Sequence, residues 1–152
     1  MTLEVLSPLA GAVVTLDDVP DPVFSGRLIG PGLAVDPPRA PGEVVTLAPI
    51  PGRVAKIHPH AFVIAADDGR SVLVHLGLET VGLGGGGFTI HREEGARVRA
   101  GDPIITWSPA RVEEDGFNPV VPIVALDAGA ADLTLAAPDT AVAPGDALIT
   151  WS

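Results

Sequence analysis

No stretch of this chain runs far before a glycine or proline interrupts it, for 18 Gly and 16 Pro are spread through 152 residues. Between them lie short runs of Val, Ile, Leu and Thr, among them residues 11–16, 42–47, 53–57, 61–65 and 72–76. Interior proline breaks a helix and glycine weakens one, whereas β-branched residues suit a pleated, half-buried surface. With turn signals every ten or so residues, the pattern predicts an all-β antiparallel sandwich or barrel-like domain. One segment reads differently. Ser108-Pro109 opens and Gly116 closes a stretch with Ser at the N-cap and Pro at the first helical position, which predicts one or two turns of helix.

The length fits one domain spanning residues 1–152, and a chain this long buries roughly 68–70% of its unfolded surface. Without cysteine, neither disulfides nor thiolate metal sites form. The N-terminus has no basic segment followed by an apolar one, so no secretory signal is read. Mean hydropathy is +0.40, yet every apolar run ends well short of the roughly 18 residues a membrane helix needs. Asp and Glu number 19 against 9 Lys and Arg, for a net charge of −10. Such a surface repels nucleic acid and anionic lipid, and it suits a basic protein partner reached by electrostatic steering. Lys56 is the only lysine, which leaves little room for Schiff-base chemistry or a lysine-tethered cofactor.

There is an internal echo. Val98-Arg-Ala-Gly-Asp-Pro-Ile-Ile-Thr-Trp-Ser108 returns 44 residues later as Val142-Ala-Pro-Gly-Asp-Ala-Leu-Ile-Thr-Trp-Ser152. Each copy reads as a Gly-Asp turn launching a strand that ends on a tryptophan, two similar hairpin ends capping the core.

Four histidines occur, His58, His60, His75 and His91. His60 and His75 flank two apolar runs joined by Asp67-Asp68-Gly69-Arg70, which reads as a hairpin. A two-residue loop puts both imidazoles on one sheet face with Cβ atoms about 4.5–8 Å apart; a three-residue loop puts them on opposite faces. Paired imidazoles allow two chemistries: a phosphoryl-accepting nucleophile assisted by a neighbour, or metal ligation.

At these residues the chain resembles a known family. Val74-His75-Leu76-Gly77-Leu78-Glu79-Thr80-Val81 is similar to the Val-His-Phe-Gly-Ile-Asp-Thr-Val signature of the glucose-type IIA domains of the bacterial sugar phosphotransferase system. His58-Pro59-His60-Ala61-Phe62 resembles that family's second histidine segment, at the same separation. Further matching motifs are Val19-Pro-Asp21-Pro-Val-Phe24, Gly30-Pro-Gly32-Leu-Ala-Val-Asp-Pro37 and Ala48-Pro-Ile-Pro-Gly52. Gly87-Phe88, Glu94-Gly95-Ala-Arg-Val98, Gly101-Asp102, Pro119-Val-Val121 and Gly145-Asp146 extend the likeness over roughly Ser7 to Ser152.

The resemblance implies a flattened antiparallel sandwich of the duplicated hybrid motif type, acting as a phosphotransferase component through a phosphohistidine. On it, His75 takes a phosphoryl group on Nε2 from the carrier HPr and His60 stabilises that group. The IIB domain of a glucose- or N-acetylglucosamine-type permease then accepts it. Asp21 and Glu79 would engage an arginine of HPr; Val23, Phe24, Leu28 and Ile29 would form the apolar docking surface. The implied protein is a cytoplasmic monomer with regulatory target proteins among its partners. It needs no cofactor, and zinc is taken up only opportunistically on His60 and His75.

Departures from the family pattern are Glu79 for its usual Asp, His58 for a frequent Thr, and the bare glycines Gly84–Gly87. Longer relatives also carry an N-terminal amphipathic extension, so membrane anchoring is not expected here. The competing readings are a biotinyl or lipoyl carrier, which needs a lysine at a hairpin tip; a zinc peptidase of barrel shape; and a regulatory module with inert histidines.

Overall fold

The computed structural model describes residues 1–152. The chain forms fourteen strands. They are β1 (Leu3–Leu6), β2 (Gly11–Thr15), β3 (Gly32–Asp36), β4 (Val44–Leu47), β5 (Gly52–His58), β6 (Ala61–Ala65) and β7 (Ser71–His75), followed by β8 (Thr89–Ile90), β9 (Arg97–Val98), β10 (Pro103–Trp107), β11 (Val121–Ala125), β12 (Leu133–Leu135), β13 (Ala141–Val142) and β14 (Ala147–Trp151). Helices are confined to α1 (Pro22–Ser25), α2 (Pro109–Glu114) and three single turns of 3₁₀ type. None is long and apolar enough to cross a membrane.

Every paired strand is antiparallel, as the all-β reading expects. One eight-stranded sheet runs β13-β2-β3-β11-β7-β6-β5-β9, and two three-stranded sheets, β1-β14-β12 and β4-β10-β8, pack against it. Alternation along the strands sends Val13, Leu33, Val54, Phe62, Val72 and Ile123 into a core of 25 buried residues. The small sheets supply Val5, Ile149, Ile105 and both tryptophans from the other side. This is a sandwich.

The echo reaches further than two similar hairpin ends. The large sheet is a palindrome about the β11·β7 pair, with β13 matching β9, β2 matching β5 and β3 matching β6. Residues 44–107 form one copy, inserted into a second built from residues 3–36 and 121–151. Register agrees: Trp107 faces Val44 as Trp151 faces Leu3. In the two turns, Asp102 accepts from the Arg99 N–H at 2.8 Å and Asp146 from the Ala143 N–H at 2.7 Å. Gly101 and Gly145, at φ 91° and 88°, take the left-handed backbone these turns require.

Two local expectations have different outcomes. Ser108 caps α2, its hydroxyl accepting from the Arg111 N–H at 3.2 Å. The same kind of signal, Asp21 followed by Pro22, opens α1, where the sequence reading assigned no helix; Asp21 accepts from the Val23 N–H at 3.0 Å. The hairpin between β6 and β7, however, has a three-residue loop. Ala66 and Arg70 close it with a 2.8 Å backbone bond, leaving Asp67-Asp68-Gly69 at the tip. Asp68 stabilises this longer loop by accepting from the Arg70 N–H at 3.0 Å and pairing with its guanidinium at 2.7 Å. Ala61, not His60, therefore stands opposite His75, which corrects the two-residue expectation.

Outside the main core, residues 16–31 fold back over β3, β11 and β7. Leu16, Val19, Phe24, Ala34, Leu78 and Val124 belong to the second apolar cluster formed there. With both faces covered, all five residues of β11 are buried.

Candidate active site around His75 and His60

His75 ends β7 on the outer face, the face that Leu73 shares, because Val72 and Val74 point into the core. The β7·β11 ladder stops at Val74 opposite Ile123, and the next position on β11 is Pro122, which has no N–H to offer. Beyond that point the chain turns at Gly77, whose φ of 83° is costly for any other residue. This turn is held firmly. Thr80 Oγ1 donates to the Leu76 carbonyl at 2.7 Å, and the Leu78 N–H donates to the Asn118 carbonyl at 2.8 Å.

The Gly77 carbonyl lies 2.5 Å from Nδ1 of His75. A carbonyl can only accept, so Nδ1 carries the hydrogen and Nε2 keeps its lone pair. Burial pushes the His75 imidazole below the ordinary histidine range, with the Gly77 bond and the Asp21 charge working the other way. His60 is lowered as well, by burial first, then by His75 and His58. Two neutral rings meet here.

His60 and His75 are in edge contact, with centroids 5.3 Å apart and planes at 65°. The three-residue loop should have separated them, and it fails to because His60 is not in a strand. It occupies the two-residue turn Pro59-His60 between β5 and β6, where alternation no longer dictates side-chain direction. The Leu76 N–H donates to the His60 carbonyl at 2.7 Å and ties that turn to the end of β7. His58 stacks on His60 at 5.7 Å and 21°.

Of the residues expected to dock a partner, Phe24 is only 5% exposed; it packs edge-on against His75 at 5.3 Å and forms a wall beside that ring. Ile29 is half-buried behind it. Val23 and Leu28 are exposed, at 41% and 72%. Val81, 66% exposed and just past the His75 turn, is a further apolar residue the sequence reading passed over, although it closes the histidine motif. Asp21 and Glu79 both line a cleft of about 320 Å³ beside the histidines, together with Pro20, Leu78, Phe117 and Asn118. Neither His60 nor His75 lines that cleft. No group of three His, Asp or Glu side chains is arranged to hold a metal. Lys56 lies inside β5 opposite Val63, not at a hairpin tip, so the tethered-cofactor alternative has no lysine in the right place.

Comparisons with known proteins converge on one family. The family model for the phosphoenolpyruvate-dependent sugar phosphotransferase system, EIIA 1, matches residues 3–130. The glucose-specific EIIA component of Bacillus cereus is 39% identical over 130 residues, covering 84% of this chain and 76% of that protein. The glucose-specific EIIBCA component of Corynebacterium glutamicum is 38% identical over 128 residues, 83% of this chain but 18% of that longer protein. Glucose permease IIA from Mycoplasma capricolum superposes with a TM-score of 0.87 at 32% identity, covering 99% of this chain and 96% of that one. The chain belongs to the EIIA 1 family of the phosphoenolpyruvate-dependent sugar phosphotransferase system.

Proposed function

We propose that this phosphocarrier of the sugar phosphotransferase system works through a phosphohistidine at Nε2 of His75. The observation that carries the reading is the 2.5 Å contact from Nδ1 to the Gly77 carbonyl, which leaves Nε2 unprotonated beside a second imidazole. The lone pair of Nε2 attacks the phosphorus of phosphohistidine on HPr; the new N–P bond forms as the donor's breaks, and the donor imidazole leaves. His60 stabilises the phosphoryl oxygens by hydrogen bonding, and the Phe24 wall keeps water from the labile bond. In the second step a IIB domain takes the group and His75 returns to its starting form.

The donor docks on Val23, Leu28 and Ile29 with an arginine against Asp21 and Glu79, so apolar contact and charge both select a basic carrier. A carrier of this kind works in the cytoplasm, where HPr and the permease's soluble domains meet. Zinc binds only adventitiously to the two histidines when another molecule completes the site, and regulatory proteins compete for the same face.

The test is intact-mass measurement after incubation with phosphorylated HPr. One labile phosphoryl group, stable to base and lost in acid, is expected on the wild-type chain and none on His75→Gln. Phosphoryl uptake by His75→Gln would remove His75 from the mechanism.

A further inference from the structure

The two copies of the duplicated unit fill one equivalent place differently. Thr15 pairs with Leu33 on β2·β3 as Ile57 pairs with Phe62 on β5·β6, so Leu33 matches Phe62 and Thr15 matches Ile57. On the facing sheets, the Ala136 N–H donates to the Leu148 carbonyl as the His91 N–H donates to that of Ile104. Ala136 therefore matches His91, and Ala137 matches Arg92. In the copy formed by residues 44–107, Phe62 is fully buried, Ile57 packs against the core, and no cavity opens there. In the other copy all four residues are smaller, and a cavity of about 230 Å³ opens between β2, β3 and the segment that follows β12. Val13, Leu33, Leu135, Ala136, Ala137 and Pro138 give it an apolar lining.

Asp17 and Arg27 stand at its exposed rim, joined through Oδ1 and Nη1 at 2.7 Å. Nη1 also donates to the Ser25 carbonyl at 3.1 Å. These contacts occupy one nitrogen of the guanidinium and one oxygen of the carboxylate, so Nε and Nη2 of Arg27 and Oδ2 of Asp17 have no partner in the chain. With side chains 39% and 72% exposed, the pair is replaceable at little cost to the fold. Arg27 also holds a left-handed backbone, φ 53°, that glycine would take without strain. Neither an unfilled cavity nor that backbone stabilises the molecule. Two further carboxylates, Asp18 and Asp139, adjoin the rim in the chain but do not line the cavity; Asp18 accepts from Thr15 Oγ1 at 3.3 Å.

We propose that this cavity binds a free α-amino acid with a small branched apolar side chain, of the valine and leucine class. The side chain fills the cavity, the α-carboxylate accepts from Nε and Nη2 of Arg27, and the α-ammonium donates to Oδ2 of Asp17. A volume below the roughly 300–1,000 Å³ of drug-sized ligand pockets admits a tail of only a few carbons. An apolar lining holds water poorly, so a hydrocarbon tail gains by replacing it. The rim selects the head group. A bare carboxylate would meet an acidic surround, and a bare amine would leave the free donors of Arg27 unused; a zwitterion satisfies both partners of the ion pair. The site lies apart from the phosphocarrier chemistry, since the two histidines are absent from its lining.

The experiment is titration of the isotope-labelled full chain with leucine, valine and alanine, followed by amide shifts. Leucine at millimolar concentration should give saturable shifts at residues 13–17, 27, 33 and 135–138. Each buried carbon should tighten binding about fourfold, so leucine should bind more than tenfold more tightly than alanine. The des-amino carboxylate and the decarboxylated amine of leucine should each bind about tenfold or more weakly than leucine, and Arg27→Gln should weaken leucine by a similar factor. Leu33→Phe copies the filled arrangement of the other copy and should abolish the shifts. Thr15→Ile, at the rim of the same space, serves where Leu33→Phe does not fold. Absence of saturable shifts with leucine, or shifts confined to residues outside the cavity, would overturn the proposal. So would undiminished binding to a folded, filled variant, or equal binding of leucine and its two single-headed analogues.

Discussion

A neutral imidazole is nucleophilic only at the nitrogen that lacks a proton, so the carbonyl of Gly77 leaves Nε2 as the atom of His75 able to act in the proposed transfer. His75→Gln should therefore abolish phosphoryl uptake. His60→Gln keeps the nucleophile and the docking surface, so it should still be phosphorylated but pass the group to IIB about 10²–10³-fold more slowly, the usual cost of one preorganised donor; rapid-quench assays separate the two steps. The pH dependence follows from burial. Because the folded imidazole of His75 titrates below the unperturbed value of about 6.5, it stays neutral there, and uptake should begin to fall only at lower pH. The same depression means the unfolded chain takes up that proton first. The His75 contribution to stability is thus whole above about pH 6.5 and lost as pH falls through the folded value. A pH–rate profile breaking above 6.5 would contradict the lowered pKa.

At the scale of elements, the site depends on two turns, and neither is a regular strand pair. Gly77 reverses the chain immediately after β7. A Cβ there would lie 2.7 Å from Thr80 Cγ2 and 2.9 Å from the Asn118 carbonyl oxygen, in a left-handed conformation that already disfavours a side chain. Gly77→Ala should cost about 1–3 kcal/mol by urea denaturation. It should also shift the nitrogen resonances of His75 away from the Nδ1–H tautomer, which a purely structural lesion elsewhere would not do. The Pro59-His60 turn is the counterpart. Its shortness throws His60 sideways toward His75, overriding a register that pairs His75 with Ala61. The hairpin reading reached the right pair of residues by a register the molecule does not use. What it lacked was the Asp68–Arg70 clasp that lengthens the loop.

For the whole molecule, one copy of the duplicated unit is nested in the other, and only one copy carries the two histidines of the proposed site. The register places Val124 where His75 stands and Pro31 where His60 stands. The copies also hold their tryptophans differently. Trp107 is fully buried and its indole N–H donates to Thr46 Oγ1 at 2.8 Å, whereas Trp151 lies under the Arg70 guanidinium at 5.5 Å. At the position matching Thr46 the other copy has Val5. Thr46→Val preserves shape but leaves the Trp107 donor unpaired in the core, and should cost about 1–3 kcal/mol. A thermal midpoint unchanged from wild type would show that the bond contributes nothing net.

The amino-acid sequence alone determined what depends on neighbours along the chain. Its Gly and Pro spacing excluded long helices, Ser108-Pro109 started α2, and the paired Gly-Asp turns marked the repeat. The motif around His75 singled out the proposed nucleophile because its turn chemistry is local: histidine, then the glycine whose carbonyl orients it. Tertiary structure decided whatever joins residues distant in sequence. Phe24 became a buried wall beside His75, not an exposed contact, because residues 16–31 fold back over β7 and β11. Arg53 and Arg97, 44 residues apart in the chain, become neighbours only when β9 pairs with β5. Strand pairing is a choice among many registers of similar local cost, and it is settled by which side chains the shared core can bury.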